Sequence, residues 1–124
     1  MNKYHNTRVT VDGIKFDSKA EADRWCELMM LQKAGMIRNL ERQVRIELQP
    51  KFVTAGDLVD GKVTIRAIVY VADFVYLDHG IKADHWEYVI EDKKGHKTKD
   101  YFLKKKMLLY KIAKGEIVGK FVET

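Results

Sequence analysis

The spacing of apolar residues changes period along this chain, and each change marks an element. Ala22, Trp25, Leu28 and Met29 recur at helical spacing, with Ser18-Lys19-Ala20-Glu21 ahead of them as a capping box and Gly35 behind as a left-handed stop. They predict a helix over about 18–34. From Leu40 to Pro50 the period drops to two, with Val44, Ile46 and Leu48 on one face and Gln43, Arg45, Glu47 and Gln49 on the other, which predicts a half-buried strand. Val63–Leu77 is rich in Val, Ile and Tyr and predicts a long central strand. Asp78-His79-Gly80 turns it back into a strand over His85–Lys94, where Trp86, Tyr88 and Ile90 alternate with Glu87, Val89 and Glu91. Helical spacing returns over about 99–114, with Phe102, Leu103, Met107, Tyr110 and Ala113 on the expected inner side, lysines opposite and Gly115 as the stop. Ile117–Val122 is a last short strand, and Val9–Phe16 an extended piece bent at the hairpin-type dipeptide Asp12-Gly13.

The resulting order, helix, three strands, helix, strand, predicts an α/β fold whose mixed sheet is flanked by helices. At 124 residues the chain is expected to be a single domain, with residues 1–16 as an N-terminal arm and extended segment and 17–122 as the core. One proline and 46% hydrophobic residues argue against disorder, and no apolar run is long enough to span a membrane. A single cysteine, Cys26, allows no internal disulfide, and the first residues lack the apolar stretch of a signal peptide, so a reducing cytoplasm is expected. Zinc-finger, P-loop and dinucleotide motifs are absent from the sequence.

Charge sharpens the picture only when located. The total is +5, but the stretch from Lys93 to Lys114 holds nine lysines and one acid, a net +8, leaving −3 for the remainder. A basic segment of this density suits a phosphate backbone, although a solvated helix surface is the ordinary meaning of a lysine face.

Three acids stand out. Asp73 lies within the most apolar strand, where a carboxylate is costly unless compensated; it reads either as a strand-end group satisfied by a lysine or an amide, or as a ligand for a hard cation. In Glu91-Asp92-Lys93-Lys94, residues two apart share a face about 7 Å apart, so either Glu91 with Lys93 or Asp92 with Lys94 can face a site. Asp92 and Lys94 continue the Trp86, Tyr88, Ile90 face, expected to be covered by a helix, and are assigned to it. Glu21 has a structural role in the capping box, yet it also heads the apolar stripe of its helix. Gln43 is either an accessory to these groups or an exposed strand glutamine.

Glu21 on the first helix, Asp73 in the second core strand, eighteen intervening residues and then Asp92-Lys93-Lys94 before a basic helix resemble the PD-(D/E)XK nuclease superfamily, with Ala72 where the name-giving proline would stand. The segments Lys3-Tyr4-His5-Asn6, Phe16-Asp17-Ser18-Lys19-Ala20-Glu21-Ala22, Glu47-Leu48-Gln49-Pro50, Tyr70-Val71-Ala72-Asp73-Phe74 and Glu91-Asp92-Lys93-Lys94-Gly95 resemble a family of small phage and prophage proteins of unknown function with an expected nuclease fold. The resemblance implies a restriction-endonuclease-like core and a Mg²⁺- or Mn²⁺-dependent DNA endonuclease, with branched DNA such as Holliday junctions among its candidate substrates beside duplex DNA. It implies that Asp73, Asp92, the backbone carbonyl of Lys93 and Glu21 hold the metal, while Lys94 orients the attacking water or stabilises the transition state. Lys97, Lys99, Lys104, Lys105 and Lys106, with Lys3 and Arg8 from the arm, are the expected DNA contacts. A homodimer is a candidate assembly, since junction resolvases of this frame commonly pair, and the compartment is the host cytoplasm if the protein is phage-encoded. The competing readings are a catalytically inactive DNA-binding accessory module on the same frame and a protein-interaction domain.

Overall fold

The structure, a computed structural model, describes residues 8–56, 61–80, 84–93 and 98–124. It is a mixed α/β fold with a four-stranded mixed sheet, two two-stranded sheets and two helices. The elements are β1 (Val9–Val11), β2 (Ile14–Phe16), α1 (Lys19–Lys33), β3 (Ile37–Gln49), β4 (Phe52–Thr54), β5 (Val63–Ile65), β6 (Ile68–Asp78), β7 (Glu87–Asp92), α2 (Lys99–Ala113) and β8 (Lys120–Glu123). The main sheet runs β3-β6-β7-β8, with β6 and β7 antiparallel and β7 and β8 parallel. The expected helix, three strands, helix, strand order is therefore present, β6 being the second core strand and β7 the third.

The chain gathers into two compact units. One comprises the described residues within Met1–Val44, Ala72–His96 and Val118–Thr124; the other comprises those within Arg45–Val71 and Lys97–Ile117. β3 and β6 pass from one to the other.

In the first unit, β1 and β2 form an antiparallel hairpin across Asp12 and Gly13, both at positive φ (49° and 79°), the geometry that two-residue hairpin turns need. Ser18 caps α1 by accepting a bond from the Glu21 amide at 3.1 Å. At the other end Gly35, at φ 80°, donates to the Gln32 carbonyl while Met36 donates to Leu31, so the last helical carbonyls are satisfied. Leu28 of α1 packs with Ile37, Phe74, Tyr76 and Val89, and Trp25 and Val122 border this cluster. Each buried side chain there contributes roughly 2 kcal/mol. Trp25 also stacks on Phe74 at 6.2 Å and meets Phe16 at 6.2 Å.

The strand register sorts the acids by face. Phe74 opposes Glu91 and Tyr76 opposes Val89, so these four side chains share the face that α1 covers. Asp92 lies on the other face, with Ile90, and is buried there too. α1 packs on the Val89 and Glu91 side, and alternation could not show this because Val89, Ile90, Glu91 and Asp92 are all buried.

The other departures from expectation are spread over both units. The apolar run 63–77 is two strands broken at Arg66-Ala67: β5 pairs with the unforeseen β4, while β6 joins the main sheet. β8 begins at Lys120 rather than Ile117. Most notably, α2 turns most of its expected inner face outward, Met107 alone of that set being half-buried. Phe102, Leu103, Leu109 and Tyr110 are exposed, while Leu108 is buried and the half-buried positions include Tyr101, Ile112 and the stems of Lys104, Lys105 and Lys111. Lysine methylenes can cover apolar surface while their ammonium groups reach water, so these lysines occupy the inner side at little cost. Tyr101 leans on the buried Tyr70, ring centres 6.0 Å apart.

No helix among the described residues is long and apolar enough to cross a membrane.

Candidate functional site

Three carboxylates and one amide meet in the first unit. β3 carries Gln43, whose backbone is left-handed at φ 52°. Asn39, four residues earlier, is left-handed too, at φ 57°. Such a conformation in a strand bends it and re-aims the side chain, as bulges next to functional sites do. The Gln43 Nε2 donates to Glu21 Oε1 at 3.2 Å and to Asp73 Oδ1 at 3.3 Å, bridging the start of α1 and the middle of β6.

Asp73 is the hub. Its second oxygen, Oδ2, accepts from the Lys93 amide at 2.9 Å, and its own backbone N–H donates to Asp92 Oδ1 at 2.9 Å. Asp73 and Asp92 are thereby locked side by side on adjacent strands. Thr124 closes the far side by donating its amide to the Asp92 carbonyl at 2.9 Å.

Glu21 is only 6% exposed, and its carboxyl is pushed up to about 7, first by burial and then by the charges of Asp73 and Asp17. Arg42, 4.0 Å away, and the Gln43 bond act in the opposite sense. Packing an acid where its charged form is disfavoured does nothing for the fold, and it marks the position as a functional candidate. A linkage prediction follows. A folded-state pKa above the ordinary 4.5 means the folded protein holds the proton more tightly, so stability falls as pH rises from about 4.5 to 7. Glu21→Gln, neutral throughout, escapes that fall. In urea titrations with a chelator present it should exceed wild type by about 3 kcal/mol at pH 8 and match it near pH 4.5. A pH-independent difference would place Glu21 as a solvated, ordinary carboxylate.

Glu91, with no exposed surface, belongs to a separate buried network. Arg24, one turn after Glu21 on α1, grips it with Nε to Oε2 at 2.7 Å and Nη2 to Oε1 at 3.0 Å. The Tyr76 hydroxyl donates to Oε1 at 2.6 Å and Thr124 Oγ1 to Oε2 at 3.1 Å. Burial pushes the Glu91 carboxyl up, but the bonds from Arg24, Tyr76 and Thr124 outweigh it and hold the group below its ordinary value. Burial, then the bond to Glu91, drives the Tyr76 phenol upward. These bonds pin α1, which bears Glu21, to β7, which bears Asp92.

Of the residues expected at the site, Glu21, Asp73 and Asp92 are joined through Gln43 and backbone amides, and Lys93 takes part through its N–H. Lys94, Lys97 and Lys3 lie outside the described residues. Arg8, Lys99 and Lys106 are exposed; Lys105 is half-buried, and Lys104 pairs with Asp100 of its own helix at 3.2 Å. Arg24, Tyr76 and Thr124 carried no sequence signal beyond the i, i+3 spacing of Arg24 from Glu21. Gln43 had only its place on the polar face of the strand.

Among the described residues no three His, Cys, Asp or Glu side chains converge closely enough to hold a metal ion. The chemistry of the set nonetheless suits one. Carboxylate oxygens are hard ligands, and the Glu21 and Asp73 carboxylates both approach the positively polarised Gln43 amide rather than each other. A divalent cation would relieve the same crowding of negative charge that raises the Glu21 pKa.

No curated protein and no solved structure matches the chain. Residues 1–122 match the family described as Protein of unknown function (DUF1064), and the chain belongs to that family.

Proposed function

We propose that this protein is a metal-dependent DNA endonuclease of PD-(D/E)XK type. The observation that carries the reading is the coupling of Asp73 to Asp92 across adjacent strands, with Glu21 brought to the same hub through Gln43. The helix, three strands, helix, strand order is the frame on which that motif set is expected, and the lysine-rich segment after β7 supplies charge for a phosphate backbone.

Asp73 and Asp92, with Glu21 and the Lys93 carbonyl, would hold Mg²⁺ or Mn²⁺. The ion would supply a bound water of lowered pKa and neutralise charge on the scissile phosphate. The protein's own contribution is positioning. The Lys93 amide fixes one oxygen of Asp73, the Asp73 amide fixes one oxygen of Asp92, and the neutral Gln43 amide holds Glu21 beside Asp73. Lys94, two residues beyond Asp92, is the candidate for stabilising the pentacovalent transition state.

Incubation of the purified protein with linear, nicked and four-way-junction DNA tests this. Cleavage is expected with Mg²⁺ or Mn²⁺ and none with a chelator. Salt-sensitive DNA binding with no metal-dependent cleavage of any form would instead identify an inactive DNA-binding module.

A further inference from the structure

The outward face of α2 is unusual for a helix that bears so many lysines. Lys99, Phe102, Leu103, Lys106, Leu109 and Tyr110 follow one another at helical spacing, and every one is exposed. The apolar members show 56% (Phe102), 57% (Leu103), 42% (Leu109) and 62% (Tyr110) of their surface. Phe102 is braced from behind, edge-on to Tyr101 at 5.4 Å, and Tyr110 carries the Lys114 ammonium 5.2 Å from its ring centre. Beside this stripe, Arg45, Val71, Leu103, Lys104 and Met107 line a groove of about 350 Å³.

A second copy of the chain is a poor occupant. The four apolar side chains offer roughly 400 Å², half of the ~800 Å² per partner that a stable interface buries. Self-pairing would also bring together two helices that each hold five lysines and one aspartate between residues 99 and 113, with lysines in the seam itself. The face calls for a partner that is both polyanionic and equipped with flat apolar surfaces. Duplex DNA has the charge but hides its base faces in the stack. An unpaired strand presents both.

We infer that the outward face of α2 is a binding surface for unpaired nucleic-acid strand. Bases stack on Phe102 and Tyr110, a base edge seats in the groove beside Leu103, and phosphates meet Lys99, Lys106 and Lys114. The inference deepens the nuclease reading, and rests on it, by naming single-stranded segments of branched or flapped DNA as the recognised substrate class.

The test is fluorescence anisotropy with labelled single strand and matched duplex, in chelator so that cleavage plays no part. Wild type should prefer the single strand. The double variant Phe102→Ala with Tyr110→Ala, both positions being exposed, should retain its thermal midpoint and lose about 30-fold on single strand, but less than about twofold on duplex. Lys106→Gln should weaken both forms alike and lower the salt slope by about one. Equal weakening on the two forms by the aromatic pair, or no weakening, overturns the inference. So does a concentration-dependent dimer in sedimentation that the same pair dissolves. The two readings fail separately: aromatic-dependent single-strand preference without metal-dependent cleavage removes the nuclease, whereas cleavage with no such dependence removes the stacking face.

Discussion

Arg24→Ala is expected to destabilise the protein by about 3–5 kcal/mol at neutral pH, the cost of leaving a buried charge without its partner. Glu91 is fully enclosed, and Arg24 supplies two of the four side-chain bonds that allow it to stay ionised there. Tyr76 and Thr124 remain in the variant, but two hydroxyls do not balance a carboxylate. The pH dependence identifies the cause. A carboxyl held below 4.5 in the folded state stabilises above 4.5 and loses that contribution as pH falls through its lowered folded value. The deficit of Arg24→Ala should therefore be greatest at neutral pH and shrink in acid, where the orphaned Glu91 takes up a proton. Urea midpoints across that range measure it. A deficit below about 1 kcal/mol, or one indifferent to pH, would mark Arg24 as an ordinary surface ion pair. Replacing both partners by apolar residues of similar size, Arg24→Met with Glu91→Leu, should recover much of the loss, since the pair is costly chiefly when broken.

On the proposed nuclease reading, Asp92→Asn carries the largest expected effect on activity, a loss of cleavage of about 10³-fold, as several kcal/mol of transition-state stabilisation would disappear with the proposed ligand. The variant suits the purpose because asparagine keeps an Oδ1 to accept the Asp73 N–H, so the link between β6 and β7 survives. It should therefore fold with a cooperative thermal transition like that of wild type. Asp73→Asn should be similarly inactive but less stable, since both oxygens of Asp73 accept bonds, from Gln43 and from the Lys93 amide. Cleavage by Asp92→Asn at wild-type rates would end the nuclease assignment.

What could be read from the chain beforehand was whatever local chemistry decides. Ser18 and Gly35 delimit α1, and Asp12-Gly13 makes its turn, because caps and positive-φ dipeptides act within a few residues. What could not be read depends on distant partners. The run from Val63 to Leu77 looks continuous in hydrophobicity, but its two halves pair with different strands, and no periodicity announces the change at Arg66. The capping box at Ser18 is only half of the story, since the Glu21 carboxylate meets a glutamine twenty-two residues away. Both faces of β7 are buried, so alternation was silent on which of them α1 covers. In α2 the helical period was legible but its direction was not, because long lysine stems serve on the inner side as well as apolar groups do.

The left-handed backbone at Gln43 also dictates how mutagenesis there must be interpreted. A non-glycine residue at φ 52° carries a conformational penalty of about 1 kcal/mol, which alanine inherits and glycine sheds. Truncation to alanine thus reports the value of the amide bridge alone, whereas the gap between the alanine and glycine variants reads out the energy the strand spends to hold that amide between two acids.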